Sequence, residues 1–267
     1  MPIKLVSSFY KYIKIENPSE IQKNIVDLCN SLDLKGRILV GEEGINGSIC
    51  GSEDSVRQFE ETITNNPLFS DIQFKEQFAD RQAFRKLVVR VRKEIVHFGI
   101  EVDLSKTAPF ISPKELNELI EKDEIVLLDT RNNYESRIGR FRNAMTLNIK
   151  NFRDFPERIK EIEHLKNKKI VAYCTGGIRC EKASAFLREN GFENVMQLKG
   201  GILAYDNEFP DAYWQGRCFV FDERLAIDLN KNNKIVLNEC AWCNEKCDDY
   251  INCHNLDCDK LFICCEN

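Results

Sequence analysis

The 267-residue chain has little of what most cofactor chemistry uses. It carries only three histidines, His97, His164 and His254. They lie too far apart in sequence to suggest the usual two-His iron site. No glycine-rich nucleotide or flavin fingerprint is present. No apolar run approaches the roughly 20 residues that span a bilayer. The first residues, MPIKLVSSFYKYIKIENPSE, are broken by charges and have no signal-peptide core. There is no internal repeat and no low-complexity segment. Nor is there an excess of positive charge: 38 Lys and Arg stand against 43 Asp and Glu, a net charge of −5. That balance argues against a general nucleic-acid binder, although it leaves room for a local basic surface. With 43% hydrophobic and 30% charged residues, the expectation is a globular cytoplasmic protein of one large domain or two modest ones.

Cysteine is abundant by contrast, with 12 in the chain. In a reducing compartment, clustered cysteines mean metal or chemistry more often than disulfides. The most informative one is Cys174, in KKIVAYCTGGIRCEKASAFLRENG. Lys169 to Tyr173 reads as a buried strand. From Cys180 the spacing is helical, with Ala183, Phe186 and Leu187 on one stripe and Gly191 as the stop. Cys174 therefore stands at a strand end, and Thr175, Gly176, Gly177, Ile178 and Arg179 turn the chain into a helix. Two glycines let successive backbone N–H groups converge on one spot. The helix start adds partial positive charge there. A cysteine at that spot is expected to have a lowered pKa and to act as a nucleophile. The plain alternative is a buried strand cysteine before an ordinary turn. Cysteine phosphatases place five residues between Cys and Arg; here only four intervene, and Cys180 takes the phosphatase arginine's place. The shorter cradle suits a sulfur-sized group on Cys174. Arg179 is expected to close the cradle and offer donors to an anion. Cys180, in the first helical turn, is either a resolving thiol for Cys174 or a residue packed into the domain.

Residues 1–97 read as a small α+β unit. Asn17-Pro18-Ser19-Glu20 is a helix start, followed by an apolar stripe of Ile21, Ile25, Leu28 and Leu32. Short strands flank Glu42 to Asn46, and a second helix from Ser52 buries Val56, Phe59 and Ile63. Asp71 to Phe78 and Leu87 to Val96 supply the last strands. The order β-α-β-β-α-β is that of a ferredoxin-like (acylphosphatase-like) sandwich. On the final strand Lys86, Arg90 and Arg92 share one face, and Leu87, Val89 and Val91 the other. With Arg81, Arg85 and Lys93 they form a basic group, either a solvated face or a contact for RNA phosphates. Phe84 and the Glu42-to-Asn46 turn are candidate neighbours of a flipped base. A connector, EVDLSKTAPF, leads to a stretch of alternating strands and helices, which implies a parallel sheet covered on both faces.

The tail, residues 217–267, gathers Cys240, Cys243, Cys247, Cys253, Cys258, Cys264 and Cys265. Cys240 and Cys243 with Cys253 and Cys258 would supply four thiolates to one zinc, with His254 or Cys247 as substitutes. Reduced cysteines packing a small tail are the alternative, and the sequence does not fix a metal.

Three blocks surround the Cys174 loop: the strand ending in Asp129-Thr130-Arg131 with Glu135 and Gly139, the loop itself, and Gly191 to Val195 leading to Gly200-Gly201. In this order they resemble the rhodanese domain, over residues 110–216. Gly139-Arg140-Phe141 departs from the Gly-His-Ile of many rhodaneses. Together with AFRKLVVRVRKEIVHFG, GEEGINGSICG and the Cys-rich tail, they make the whole chain similar to the bacterial tRNA uridine hydroxylase family. That resemblance implies oxygen-dependent 5-hydroxylation of the wobble uridine in tRNA anticodons. It also implies tRNA as partner, molecular oxygen as co-substrate and Cys174 as the catalytic thiol. The active loop alone fits equally a sulfurtransferase carrying a persulfide on Cys174. A third reading is a binding module with an idle loop.

Overall fold

The computed structural model describes residues 3–265 apart from 231, 233, 254, 256 and 259. The chain divides into two compact units, Met1–His97 and Phe98–Asn267.

The first unit runs β1 (Lys4–Tyr12), α1 (Pro18–Ser31), β2 (Lys35–Gly41), β3 (Gly44–Gly51), α2 (Glu53–Thr64), β4 (Gln73–Ala79) and β5 (Leu87–Val91). Asn17 caps α1 by accepting from the Glu20 N–H, and Ser52 caps α2 by accepting from Ser55. The sheet order is β4-β1-β3-β2-β5. The first four strands are antiparallel neighbours in the ferredoxin-like order, and β5 joins the edge parallel to β2. One apolar cluster from Leu5, Phe9, Ile25, Ile38, Val56 and Phe59 fills the space between sheet and helices. Leu87 and Val89 pack against it, whereas Val91 is exposed, so the alternation of the last strand breaks at its end. Here β5 is an edge strand, paired on one side only, to β2. Phe84 also departs from expectation. It is buried with Val6, Cys50, Ala79 and Ala83, which leaves no ring face for a base. The Glu42-to-Asn46 turn is likewise tied down, with Glu43 Oε1 accepting from Ile95 N at 2.7 Å and Asn46 Nδ2 donating to Ile95 O at 2.8 Å.

In the second unit the order is β6 (Phe110–Ile111), α3 (Pro113–Glu121), β7 (Val126–Asp129), α4 (Asn133–Ile138), β8 (Gly139–Phe141), β9 (Met145–Thr146), α5 (Phe155–Arg158), β10 (Ile170–Tyr173), α6 (Ile178–Glu189), β11 (Val195–Leu198) and α7 (Gly201–Glu208). Then follow β12 (Trp214–Phe219), β13 (Ala226–Asp228), β14 (Tyr250–Asn252) and β15 (Leu261–Ile263). The parallel sheet has the order β6-β11-β10-β7-β9. Its central strand β10 is buried at every residue, as its unbroken apolar run requires. The connector does not hang free. It forms a short 3₁₀ turn at Leu104–Lys106, and Arg188 of α6 donates to the carbonyls of Lys106 and Thr107 at 2.8 and 3.0 Å. Beyond the parallel sheet, β12 lies antiparallel between β13 and β8, so the tail begins inside a strand that continues the preceding unit.

Under the sheet's carboxyl end lies an ion pair with both side chains fully covered. Arg131 grips Asp129 through Nε at 2.9 Å and Nη2 at 2.6 Å. Tyr173 donates to the same carboxylate at 2.8 Å, and Arg131 also donates to Gly139 O at 2.6 Å. The pair thereby ties the ends of β7 and β10 to the start of β8, a structural role.

Candidate active site

Cys174 follows the last residue of the central strand, at the carboxyl end of the sheet where α/β folds hold ligands. Thr175 to Gly177 then reverse into α6. Gly177 is its N-cap and has φ +99°, in the left-handed region that a side chain disfavours. This turn brings the Gly177 N–H to 3.1 Å from Cys174 Sγ. The Arg179 N–H is aimed at the same sulfur, and the Cys180 thiol hydrogen-bonds it.

The carbonyls of the loop face the other way. Cys174 O accepts from Ile202 N at 3.0 Å and Thr175 O from Leu203 N at 3.2 Å, both in the first turn of α7. Gly201 makes this possible: at φ +67°, a Cβ there would lie 2.4 Å from Cys174 O, 2.6 Å from Thr175 O and 2.8 Å from Gly177 N. With its carbonyls held from behind, the loop presents N–H groups to the sulfur. Thr175 Oγ1 is enclosed and has no hydrogen-bond partner among the described residues.

Arg179 is almost fully buried, and its guanidinium is not turned to the cradle as the sequence suggested. It binds Glu135 of α4 in two places, at 2.5 and 2.7 Å, and lies over the Phe221 ring at 5.7 Å. A buried guanidinium requires such a carboxylate, because unpaired it would lose its hydration uncompensated. Burial lowers its affinity for the proton, the Glu135 charge more than restores it, and Arg179 stays cationic. Its charge and backbone N–H, rather than its fork, act on Cys174.

Only 1% of Cys174 is exposed. Burial pushes its pKa up, but the Cys180 hydrogen bond, the Arg179 charge and the N–H groups of Arg179 and Gly177 together hold it well below the usual thiol value. Cys180 moves the other way: burial and then the Cys174 anion push it far up, so it stays protonated and donates. Thr130 Oγ1 stands 3.7 Å from Cys180 Sγ and itself donates to Tyr173 O at 3.0 Å. The pair is thus one thiolate and one thiol, side by side at a helix start.

Sequence reasoning overlooked the roles of Glu135 and Gly201. Both were visible as signals: Glu135 is the third residue of a capping box on Asn132, and Gly200-Gly201 is a glycine pair immediately before a helix. The basic residues expected to meet RNA, Lys86, Arg90 and Arg92, are exposed in the first unit, as are Arg81, Arg85 and Lys93. In the tail, Cys240, Cys243 and Cys265 have their sulfurs within 4.8 Å of one another. Cys253 and Cys258 do not join that group among the described residues, because the β14–β15 hairpin carries them to its far turn. His254 lies outside the described residues. No helix among the described residues is long and apolar enough to cross a membrane.

The Cys174 ionisation carries a stability signature. Its folded pKa lies below the ordinary thiol value of about 8.5, so the thiolate stabilises the fold fully above that value. This contribution disappears as pH falls through the lowered folded pKa. Urea unfolding of wild type and Cys174→Ser should therefore show a stability gap that widens with rising pH. A gap that narrows would mean a thiol buried neutral.

Residues 4–95 match the UPF0176 acylphosphatase like domain, 112–208 the Rhodanese-like domain and 215–267 the Rhodanase C-terminal region. A rhodanese-related protein from Thermoplasma volcanium is 28% identical, with a TM-score of 0.33 over 38% of this chain and 92% of its own. Two relatives span far more. The tRNA uridine(34) hydroxylase of Cytophaga hutchinsonii is 44% identical over 97% of this chain and 83% of its own. That of Bacillus cytotoxicus is 44% identical over 97% and 82%. With identity of this level across both units and the tail, the chain belongs to the tRNA uridine(34) hydroxylase family.

Proposed function

We propose that this protein is a cytoplasmic oxidoreductase that hydroxylates C5 of uridine 34 in tRNA, with Cys174 as its catalytic thiol and molecular oxygen as co-substrate. The single observation that carries the chemistry is the Cys174 sulfur held at a helix start, 3.1 Å from Gly177 N and hydrogen-bonded by the Cys180 thiol. Inserting one atom of dioxygen at a carbon releases the other as water and takes up two electrons and two protons. Cys174 and Cys180 supply the two electrons by closing a disulfide; the Cys180 thiol gives one proton and solvent the other, and an external thiol then reopens the disulfide. Dioxygen is small enough to reach a sulfur with 1% exposure. Thr175, Gly176, Gly177, Ile178 and Arg179 form the surrounding cradle. The exposed Lys86, Arg90 and Arg92 face supplies phosphate contacts for the tRNA.

A second reading keeps the same loop. In a sulfurtransferase, Cys174 would carry a persulfide, and the extra sulfur would extend about 2.0 Å beyond the buried thiol. The four-residue span between Cys174 and Arg179 favours it, being one residue shorter than the loop of the cysteine phosphatases.

Nucleoside mass spectrometry separates the two. In air, reduced wild type should convert tRNA to the 5-hydroxyuridine form, by roughly one equivalent per chain without added thiol and repeatedly with it. Cys174→Ala should give none while remaining folded, and Cys180→Ala should not turn over. Hydroxylation by Cys174→Ala would refute the assignment, and thiosulfate-dependent sulfur transfer without hydroxylation would favour the second reading. Reversing the charge of Arg90 and Arg92 together should weaken tRNA binding and lower its salt dependence by about one to two units of log–log slope. Unchanged affinity at low salt would remove that face from the account.

A further inference from the structure

The tail cysteines hold geometry that the Cys174 chemistry does not use. Cys240-Ala241-Trp242-Cys243 forms a tight turn closed by Asn244 N donating to Cys240 O at 3.1 Å, with Asn244 at φ +61°. The Trp242 N–H points back at Cys240 Sγ at 3.5 Å, and the N–H groups of Cys243 and Cys265 point at the same sulfur. Cys265 arrives from the end of β15, and Ala241 N donates to Ile263 O at 3.0 Å, which fixes the turn against that strand. Cys243 Sγ and Cys265 Sγ are 3.4 Å apart, and all three sulfurs lie within 4.8 Å of one another. Sulfurs about 2.3 Å from a tetrahedral zinc stand about 3.8 Å apart, inside that range. Three N–H groups converging on one sulfur suit a thiolate, the form in which cysteine ligates a metal.

We propose that Cys240, Cys243 and Cys265 are three thiolate ligands of a structural zinc ion. The fourth position is left to water or to Cys264, whose thiol here donates to Cys265 O at 3.3 Å. The site answers a physical need. The tail's own core is small, built from Ile138, Phe219, Ala226, Tyr250 and Ile263 with Cys240 and Cys247. A segment that buries so little is commonly stapled by a metal. The tail also reaches the active site. Tyr250 donates to Tyr134 O at 2.8 Å and Asn238 to Arg137 O, both on α4. That helix also carries Glu135, the partner of Arg179. Zinc would therefore steady the helix that positions the Arg179 charge beside Cys174.

Elemental analysis of full-length protein purified with reductant tests this. The expected result is about one zinc per chain. Substituting Cys240, Cys243 or Cys265 with Ser should abolish the bound metal, whereas Cys253→Ser and Cys258→Ser, in the far hairpin turn, should retain it. Should the variants not fold, wild type alone decides. A mercurial should release zinc to a colorimetric chelator in step with thiol modification, and cobalt exchanged into the site should give thiolate charge-transfer bands with tetrahedral visible absorption. Wild type that stays metal-free after zinc is supplied under reducing conditions would overturn the site. So would retention of zinc by the folded Cys240→Ser/Cys243→Ser double variant.

Discussion

A buried anion at the end of a central strand is the constraint around which the second unit is arranged. Cys174 has almost no water to solvate it, so its negative charge persists only where protein dipoles and charges replace that water. Backbone N–H groups from Gly177 and Arg179, the thiol of Cys180 and the charge of Arg179 do this together. Each depends on a further element. The N–H groups face the sulfur because α7 takes the loop carbonyls from behind, and α7 approaches that closely because residue 201 is glycine. Arg179 stays buried and charged because α4 supplies Glu135. Cys180 stays protonated because burial and its neighbour's charge forbid a second anion.

The arrangement extends outward by ordinary packing. The Asp129–Arg131 pair with Tyr173 fixes the end of β10, from which the loop springs, to the end of its neighbour β7. Strand β12 continues β8 in an antiparallel sheet, and the tail beyond it lies on α4. The helix that balances Arg179 thus packs on β8 and β12 and is also held by the cysteine-rich tail. Loosening the tail would reach Cys174 through α4, Glu135 and Arg179, a chain of hydrogen bonds and one ion pair.

Much of this was legible in the residues. Caps at Asn17 and Ser52, the apolar run of β10 and the glycines of the loop each act locally, so their structural outcome could be read locally. Where the reading failed, the deciding interaction was between residues far apart in sequence. Arg179 turns to Glu135, 44 residues away, rather than to the loop centre. Phe84 joins a small cluster with Val6 and Cys50 instead of offering its ring. Cys265, not Cys253 or Cys258, meets Cys240 and Cys243, because strand pairing in the hairpin sets which thiols return to the turn. Spacing in sequence indicates that a cysteine group exists, but only the register of β14 on β15 selects its members.

The central claim is that Cys174 rests as a thiolate because its neighbours make it one. Peptide-resolved iodoacetamide alkylation across a pH series measures that directly, since only the anion reacts at appreciable rate. The account predicts that Cys174 reaches half its maximal rate below neutral pH in wild type and at a higher pH in Cys180→Ala, which lacks the thiol donor. A wild-type midpoint at the ordinary thiol value, unmoved by Cys180→Ala, would contradict it.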